Sequence, residues 1–266
     1  MANKEINYIT GAHGFLGSHL VKALDGKTVA IPHQKIASFT YQPFDRFFFL
    51  SAYGNLASQT EEKKIIKANV IDLAKTLEKV MDFDFHSFVF MSTSSVKLRI
   101  QTMYSRTKKA AEEILLAYME KYHKPICVLR PFSITGVGEQ KEHLIPTLIR
   151  SCLEGEPMNF VPFPTHDFID VEDVVSGMLT LSQKRAKGIF ELGTGISYTN
   201  QQVLELVEKI TGKKANIKRI EKLRDYDTTS WVSTNFRVRG YGWLPRKSLE
   251  QSIKEQVEEY KEGKDE

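Results

Sequence analysis

An α/β fold, a doubly wound parallel sheet followed by a smaller α/β lobe, is what this 266-residue sequence predicts. Three observations carry it. The first half alternates short apolar runs with longer helical patterns. A glycine-rich turn stands between the first run and the first helix. Beyond residue 131 the pattern loosens into short strands and helices. Apolar strands separated by crossover helices imply a parallel sheet covered on both faces.

The elements follow in order. "INYIT" (6–10) is rich in strand formers, and "GAHGFLG" then opens a helix through about Leu24. "KTVAI" (27–31) and "RFFFLSA" (46–52) are the second and third strands. The run 61–80 is an amphipathic helix, with Ile65, Ile66, Val70, Leu73, Leu77 and Val80 on its apolar face. "SFVFMS" (87–92) is a strand, 101–122 a long helix and "PICVLRP" (125–131) a strand. Later come a helix at 143–156, a short strand "MNFVPF", a helix at 173–184 and the strand "GIFELG". A further helix has Thr199 as N-cap and Gly212 as C-cap. About fourteen residues (32–45) separate the second strand from "RFFFL", too few for a full crossover helix and strand, so one strand of the sheet is expected to be reduced or missing.

Composition excludes several classes. Hydrophobic content of 41%, charged content of 26% and a net charge of +4 are those of an ordinary globular protein, with no dense basic block for nucleic acid or a membrane surface. No apolar run approaches the roughly 20 residues a membrane helix needs. "MANKE" runs straight into a strand without a signal-peptide layout, and the two cysteines, Cys127 and Cys152, form no metal-like cluster. A cytoplasmic protein without a metal is the expectation.

Gly11, Gly14 and Gly17 lie where a dinucleotide would need them: one for the tight turn, one for close approach of a diphosphate, one for helix–strand packing. The helix start would supply free N–H groups to the diphosphate. Three glycines alone are a weak signal, since any tight strand-to-helix turn uses them, but the strand before and helix after give the motif its context. Residues 1–135 are therefore expected to be a Rossmann-like NAD(P)-binding domain. Residues 136–266 are expected to be mainly a substrate lobe, with segments returning to the sheet. An NAD site usually ends its second strand with a carboxylate. Here His33 and Lys35 stand in "TVAIPHQK", so NADP(H) is favoured over NAD(H).

Tyr104 and Lys108 in "MYSRTKK" lie four apart on one helix face. A neighbouring ammonium favours phenolate and lowers a tyrosine's pKa from its ordinary value near 10. The tyrosine could then exchange a proton with a substrate oxygen while hydride moves to or from nicotinamide. "MSTSS" just upstream offers hydroxyls for a second hydrogen bond. "YKEGK" repeats the spacing with Tyr260 and Lys264, but no hydroxyl-rich strand end precedes it, so that pair is expected to be incidental.

Taken with "TGAHGFLGSHL", "FFFLSAYGN", "FVFMSTSSV", "YSRTK", "LRPFSITGVGE", "HDFIDVEDVV", "FELGTGISYTNQQVLELV" and "GYGWLP", the chain resembles the extended short-chain dehydrogenase/reductases of the NAD-dependent epimerase/dehydratase group, which act on nucleotide sugars. The resemblance runs nearly end to end. It implies Thr93 as the catalytic Ser/Thr, Tyr104 as acid/base and Lys108 on the nicotinamide ribose. It places His13, Phe15 and Leu16 in the diphosphate turn, Ala52 beside the cofactor, and Pro131, Phe132 and Ile134 near the nicotinamide end. Ser94, Ser133 and His166 fall toward the substrate. A homodimer through a bundle including the Tyr–Lys helix is implied as well.

The sequence also departs from the group. The 4,6-dehydratases carry Asp-Glu after the catalytic Thr; this chain has Ser94-Ser95, which speaks against dehydration. Lys97-Leu98, Ser133 and His166 replace the usual Tyr-Gly, Asn and Arg, leaving the sugar nucleotide open. The expected function is a nucleotide-sugar 4-ketoreductase. The alternatives are a 4-epimerase with tightly held NAD and a non-catalytic NAD(P)-binding sensor. "FFFL" reads as core strand, His143 and His166 as loop or substrate-side polar residues, and Trp243 as packing for the small lobe.

Overall fold

The computed structural model describes residues 6–222, 224–225, 227 and 231–265, with side chains through residue 263; "MANKE" lies outside them. In chain order the elements begin with β1 (Ile6–Thr10), α1 (Phe15–Ala23), β2 (Lys27–Ile31), β3 (Arg46–Phe49) and α2 (Glu62–Ile66). A π-helical turn, Lys67–Ile71, joins α2 to α3 (Asp72–Val80) without a break. Then come β4 (Ser87–Met91), α4 (Met103–Tyr122), β5 (Ile126–Pro131), β6 (Ser133–Thr135), α5 (Leu144–Glu154), β7 (Met158–Phe160), β8 (Thr165–His166) and β9 (Phe168–Asp170). The chain ends with α6 (Val171–Gln183), β10 (Gly188–Leu192), β11 (Tyr198–Thr199), α7 (Asn200–Thr211), β12 (Ile217–Arg219), α8 (Phe236–Arg239) and α9 (Leu249–Asp265).

Two compact units form. The first is built from the chain up to Pro131 with Val175–Glu191 and Phe236–Trp243; the second from Phe132–Val174, Leu192–Asn235 and the chain from Leu244 on. The central sheet has the order β10-β5-β4-β3-β1-β2, and β1 to β5 pair in parallel. Parallel strands covered on both faces should be apolar throughout, and β4 is buried at all five positions. No strand forms between β2 and β3, which is the strand the short connection could not accommodate.

Aromatic side chains fill the space that a crossover helix would cover. Phe39, Tyr41 and Phe44 from the connection meet Tyr8 of β1 with ring centroids 5.7, 5.3 and 5.5 Å apart. Phe47 stacks on Phe88 at 4.9 Å. The whole "FFF" run, Phe47 to Phe49, is fully buried. Trp243, expected in the small lobe, belongs instead to the first unit, where Nε1 donates to Ser176 Oγ at 2.8 Å.

The second unit has its own core, in which α5, α7 and α9 bury Leu148, Val207 and Ile253. Thr199 and Gln202 form a reciprocal capping box at the start of α7, and Gly212 ends it with φ 69. Three short pairs, β6 with β9, β7 with β12 and β8 with β11, complete the unit. The tail tyrosine lies within α9 rather than after it. Tyr260 Oη bonds Glu154, and the Lys264 side chain is outside the described residues.

Candidate active site

The carboxyl ends of β1, β3, β4 and β5 lie side by side, because these strands are parallel and adjacent. Each delivers one predicted segment to the same edge: the glycine turn, Ser51-Ala52, Ser92-Thr93 and Pro131. In open parallel sheets this edge is where ligands bind.

The three glycines do different work. Gly11 has φ +74, and a Cβ there would meet Ser51 N at 3.0 Å; a Cβ on Gly17 would lie 2.0 Å from Gly11 O. Both are demanded by the packing of the chain itself. Gly14 is not: its φ is −79, and a Cβ would meet only Gly11 O, at 3.4 Å. It is the N-cap of α1, makes no side-chain cap and is exposed. What the bare Gly14 provides is open approach to the N–H groups of a helix start, where a diphosphate would sit. His13 is exposed beside it, and Phe15 and Leu16 are half-buried in the first helical turn. Thr10 Oγ1 braces the turn by accepting from Leu50 N and Ser51 N, both at 3.1 Å, and this leaves Ala52 exposed at the edge.

β4 ends on Met91, and Thr93 then caps a short 3-10 turn, its Oγ1 accepting from Ser95 N at 3.2 Å. Ser94 is buried and Thr93 keeps partial exposure. Thr102 caps α4, which packs against this turn and carries Tyr104 and Lys108 in its first two turns. Lys108 is 1% exposed, and its Nζ lies 4.3 Å from the centroid of the Phe90 ring. Among the described residues that Nζ has no hydrogen-bond partner. A buried, unpartnered ammonium group is costly unless something else bonds it. Ribose hydroxyls of a dinucleotide would do so, and with the open Gly14 turn this makes the residues fit such a cofactor.

The electrostatics correct one expectation. Burial pushes the Lys108 ammonium down to about 7, against an opposing pull from Glu112, and pushes Tyr104 up to about 12. In the cofactor-free protein, therefore, Lys108 does not lower the tyrosine; desolvation of both groups dominates.

Two groups were not singled out by the sequence reading. Glu112, fully buried one turn beyond Lys108, accepts from Ser92 Oγ at 2.5 Å and from Arg130 Nε and Nη2 at 2.8 and 2.5 Å. Asn69 sits in the π turn. It accepts from Tyr53 N at 3.1 Å and donates to Tyr53 O and Thr107 Oγ1 at 2.9 and 3.0 Å. It thereby ties the segment after β3 to the Tyr–Lys helix. Its only signal in the sequence is a polar residue among the apolar positions of an amphipathic helix.

The remaining predicted residues divide between the units. His33 and Lys35 form an exposed 3-10 turn at the end of β2. Pro131 is buried in the first unit. Phe132, Ser133 and Ile134 belong to the second, where Phe132 N donates to Leu192 O at 2.9 Å. Ser133 Oγ meets His166 Nδ1 at 3.2 Å, and His166 packs against Trp231 at 5.4 Å between ring centroids. Burial pushes His166 down to about 4, with Arg224 adding to the shift, so its imidazole is neutral. His143 is not a loop histidine: it caps α5 and meets Glu139 Oε1 at 3.0 Å. Among the described residues no group of three or more His, Cys, Asp or Glu could hold a metal ion, and no helix is long and apolar enough to cross a membrane.

A parallel sheet with a glycine turn on its first strand and a Thr–Tyr–Lys set at the same edge defines a dinucleotide-dependent short-chain dehydrogenase/reductase. The chain belongs to the NAD dependent epimerase/dehydratase family, whose model matches residues 7–193. It is 25% identical over 214 residues to the UDP-glucuronate 4-epimerase of Thermodesulfobacterium geofontis, covering 74% of this chain and 66% of that protein. It is 23% identical over 233 residues to human dTDP-D-glucose 4,6-dehydratase, covering 82% and 63%. The matches thus span just under two thirds of the length of these relatives. Among solved structures, MoeE5 in complex with UDP-glucuronic acid and NAD superimposes with a TM-score of 0.87 over 97% of this chain and 99% of that one, at 24% identity. At that identity the likeness shows the fold.

Proposed function

We propose that this chain is an NAD-dependent 4-epimerase of a nucleotide sugar. The observation that carries the reading is the orphaned Lys108 Nζ on the same helix as Tyr104, at the sheet edge that also bears the open Gly14 turn. The epimerase relative and the NAD-bound neighbour support it over the ketoreductase that the sequence alone favoured. Ser94 and Ser95 stand where a dehydratase carries its acids, which argues against the other activity among the relatives.

Gly14 and the start of α1 would hold the diphosphate, and Lys108 the nicotinamide ribose. When bound, NAD supplies a hydride acceptor that can also return the hydride. Thr93 would hydrogen-bond the sugar's 4-oxygen. Tyr104 would take the 4-hydroxyl proton as hydride leaves C4, and give it back as hydride returns to the opposite face. With no net redox change, none of the steps needs an outside reductant. The uncharged His166 and Ser133, in place of a cation and an amide, are proposed to set which sugar nucleotide is taken. The first unit would bind cofactor and the second substrate.

The test is incubation with UDP-glucose and UDP-glucuronate, separating the C4 epimers by chromatography. Interconversion without consumption of added NADH or NADPH is expected. Tyr104→Phe should lose about 10²–10⁴-fold in turnover, and wild-type turnover by that variant would sink the reading. The ketoreductase remains the second reading because His33 and Lys35 leave the end of β2 without a carboxylate to reject a 2′-phosphate. Stoichiometric oxidation of NADPH with a 4-keto sugar nucleotide would select it.

A further inference from the structure

We infer that the buried Ser92–Glu112–Arg130 cluster is a positioning device that lends Lys108 a negative neighbour while keeping that neighbour from bonding it. The inference rests on the proposed role of Lys108 toward a dinucleotide, but it concerns only the chain's own groups.

Lys108 and Glu112 are one helical turn apart, the spacing at which a lysine and a glutamate ordinarily form an ion pair. Here they do not. Both Glu112 oxygens are taken: Oε1 by Ser92 Oγ at 2.5 Å and Arg130 Nε at 2.8 Å, and Oε2 by Arg130 Nη2 at 2.5 Å. The guanidinium grips the carboxylate through two N–H groups, a geometry that fixes direction as well as distance. Lys108 Nζ is left over the Phe90 ring, buried and without a hydrogen-bond partner among the described residues. A carboxylate free to swing would have captured it. Coulomb attraction does not need contact, so Glu112 still opposes the drop in the Lys108 pKa that burial causes.

The other charged groups on elements packed against α4 are engaged elsewhere. Lys67 and Asp72 pair with each other at 2.7 Å, and Lys97 pairs with Glu191 at 2.5 Å. On α4 itself the neighbour on the other side is Tyr104, which burial keeps neutral. Glu112 and Arg130 are therefore the two charges that set the state of Lys108. They act with opposite sign, and that distinguishes this arrangement from a salt bridge that merely holds β5 to α4.

The experiment uses the cofactor-free full chain labelled with ¹³Cε-lysine, following the Lys108 resonance against pH by NMR and assigning it with Lys108→Met. Glu112→Gln removes the favourable charge, so the Lys108 midpoint should fall, on the order of one unit for a close partner. Arg130→Met removes the opposing charge and frees the carboxylate to bond Nζ, so the midpoint should rise. Both variants break the same salt bridge and lower the melting temperature. A purely structural role would move both midpoints together or neither, and either result overturns the inference. If a variant does not fold, the sign of the shift in the other decides; if neither does, Ser92→Ala should raise the midpoint by releasing one anchor of the carboxylate, and an unchanged midpoint overturns the inference. No substrate or turnover enters these measurements, so a failure of the epimerase reading leaves their outcome intact.

Discussion

Lys108 is the residue on which the proposed chemistry and the stability of the protein meet. Its ammonium is pushed down from 10.5 to about 7, whereas the unfolded chain keeps the ordinary value. Between pH 7 and about 10 the unfolded state thus binds more protons, and stability of the cofactor-free protein should rise with pH over that window. Below 7 both states are protonated and the slope vanishes. Above 10 Tyr104, held near 12 when folded, reverses the trend because the unfolded tyrosine ionises first. Urea titrations at pH 7 and 9.5 should show the rise in wild type and its absence in Lys108→Met. The glycines give a second pair of outcomes. Gly17→Ala forces a Cβ onto Gly11 O and should cost several kcal/mol or abolish folding. Gly14→Ala should keep the melting temperature while NAD affinity falls, as measured by calorimetry. The spacing of Tyr104 and Lys108 was legible in the sequence, as was its difference from the tail pair. Tyr260 is hydrogen-bonded to Glu154, and Tyr260→Phe should leave turnover unchanged. The direction of the pKa shifts was not legible, since spacing reports proximity and says nothing of desolvation.

At the scale of elements, the sequence revealed the strands and helices of the first half because each carries its own period. The amphipathic run 61–80 is a single helix in the structure, but its periodicity gave no sign of the π turn within it. That turn is the reason Lys67 and Asp72, five apart, can pair, and it presents Asn69 inward. Asn69→Leu removes three hydrogen bonds and strands the Tyr53 N–H and C=O. A loss of about 2–4 kcal/mol in urea unfolding is expected, and a loss below ~0.5 kcal/mol would show the bridge to be idle. The strand pairs of the second unit, two or three residues long, were mostly invisible to pattern reading. Pairs that short are fixed by neighbours distant in sequence, as when Asp167 accepts from Thr194, Gly195 and Ser233.

For the whole molecule, the fold class followed from a simple count: fourteen residues cannot make a crossover. What the count could not supply was the substitute. The aromatic connection covers the sheet with rings instead of a helix, and Phe47 sits at its centre, in contact with Tyr8, Tyr41, Phe44, Phe49 and Phe88. Phe47→Ala should cost about 3–5 kcal/mol, read as a fall in the urea midpoint with an unchanged slope. The placement of Trp243 in the first unit was likewise beyond the sequence, because a chain that leaves one unit and returns late gives no local sign of doing so.

The π turn at Lys67–Ile71 can also be counted as one amino acid more than a regular helix requires. Deleting a single residue within it would let α2 run into α3 as an ordinary helix, but turned by about 100° beyond the cut. Asn69 or its successor would then point away from Tyr53 and Thr107. The surplus residue thus works as a phase adjuster: upstream of it the helix answers to the segment after β3, and downstream to the aromatic core.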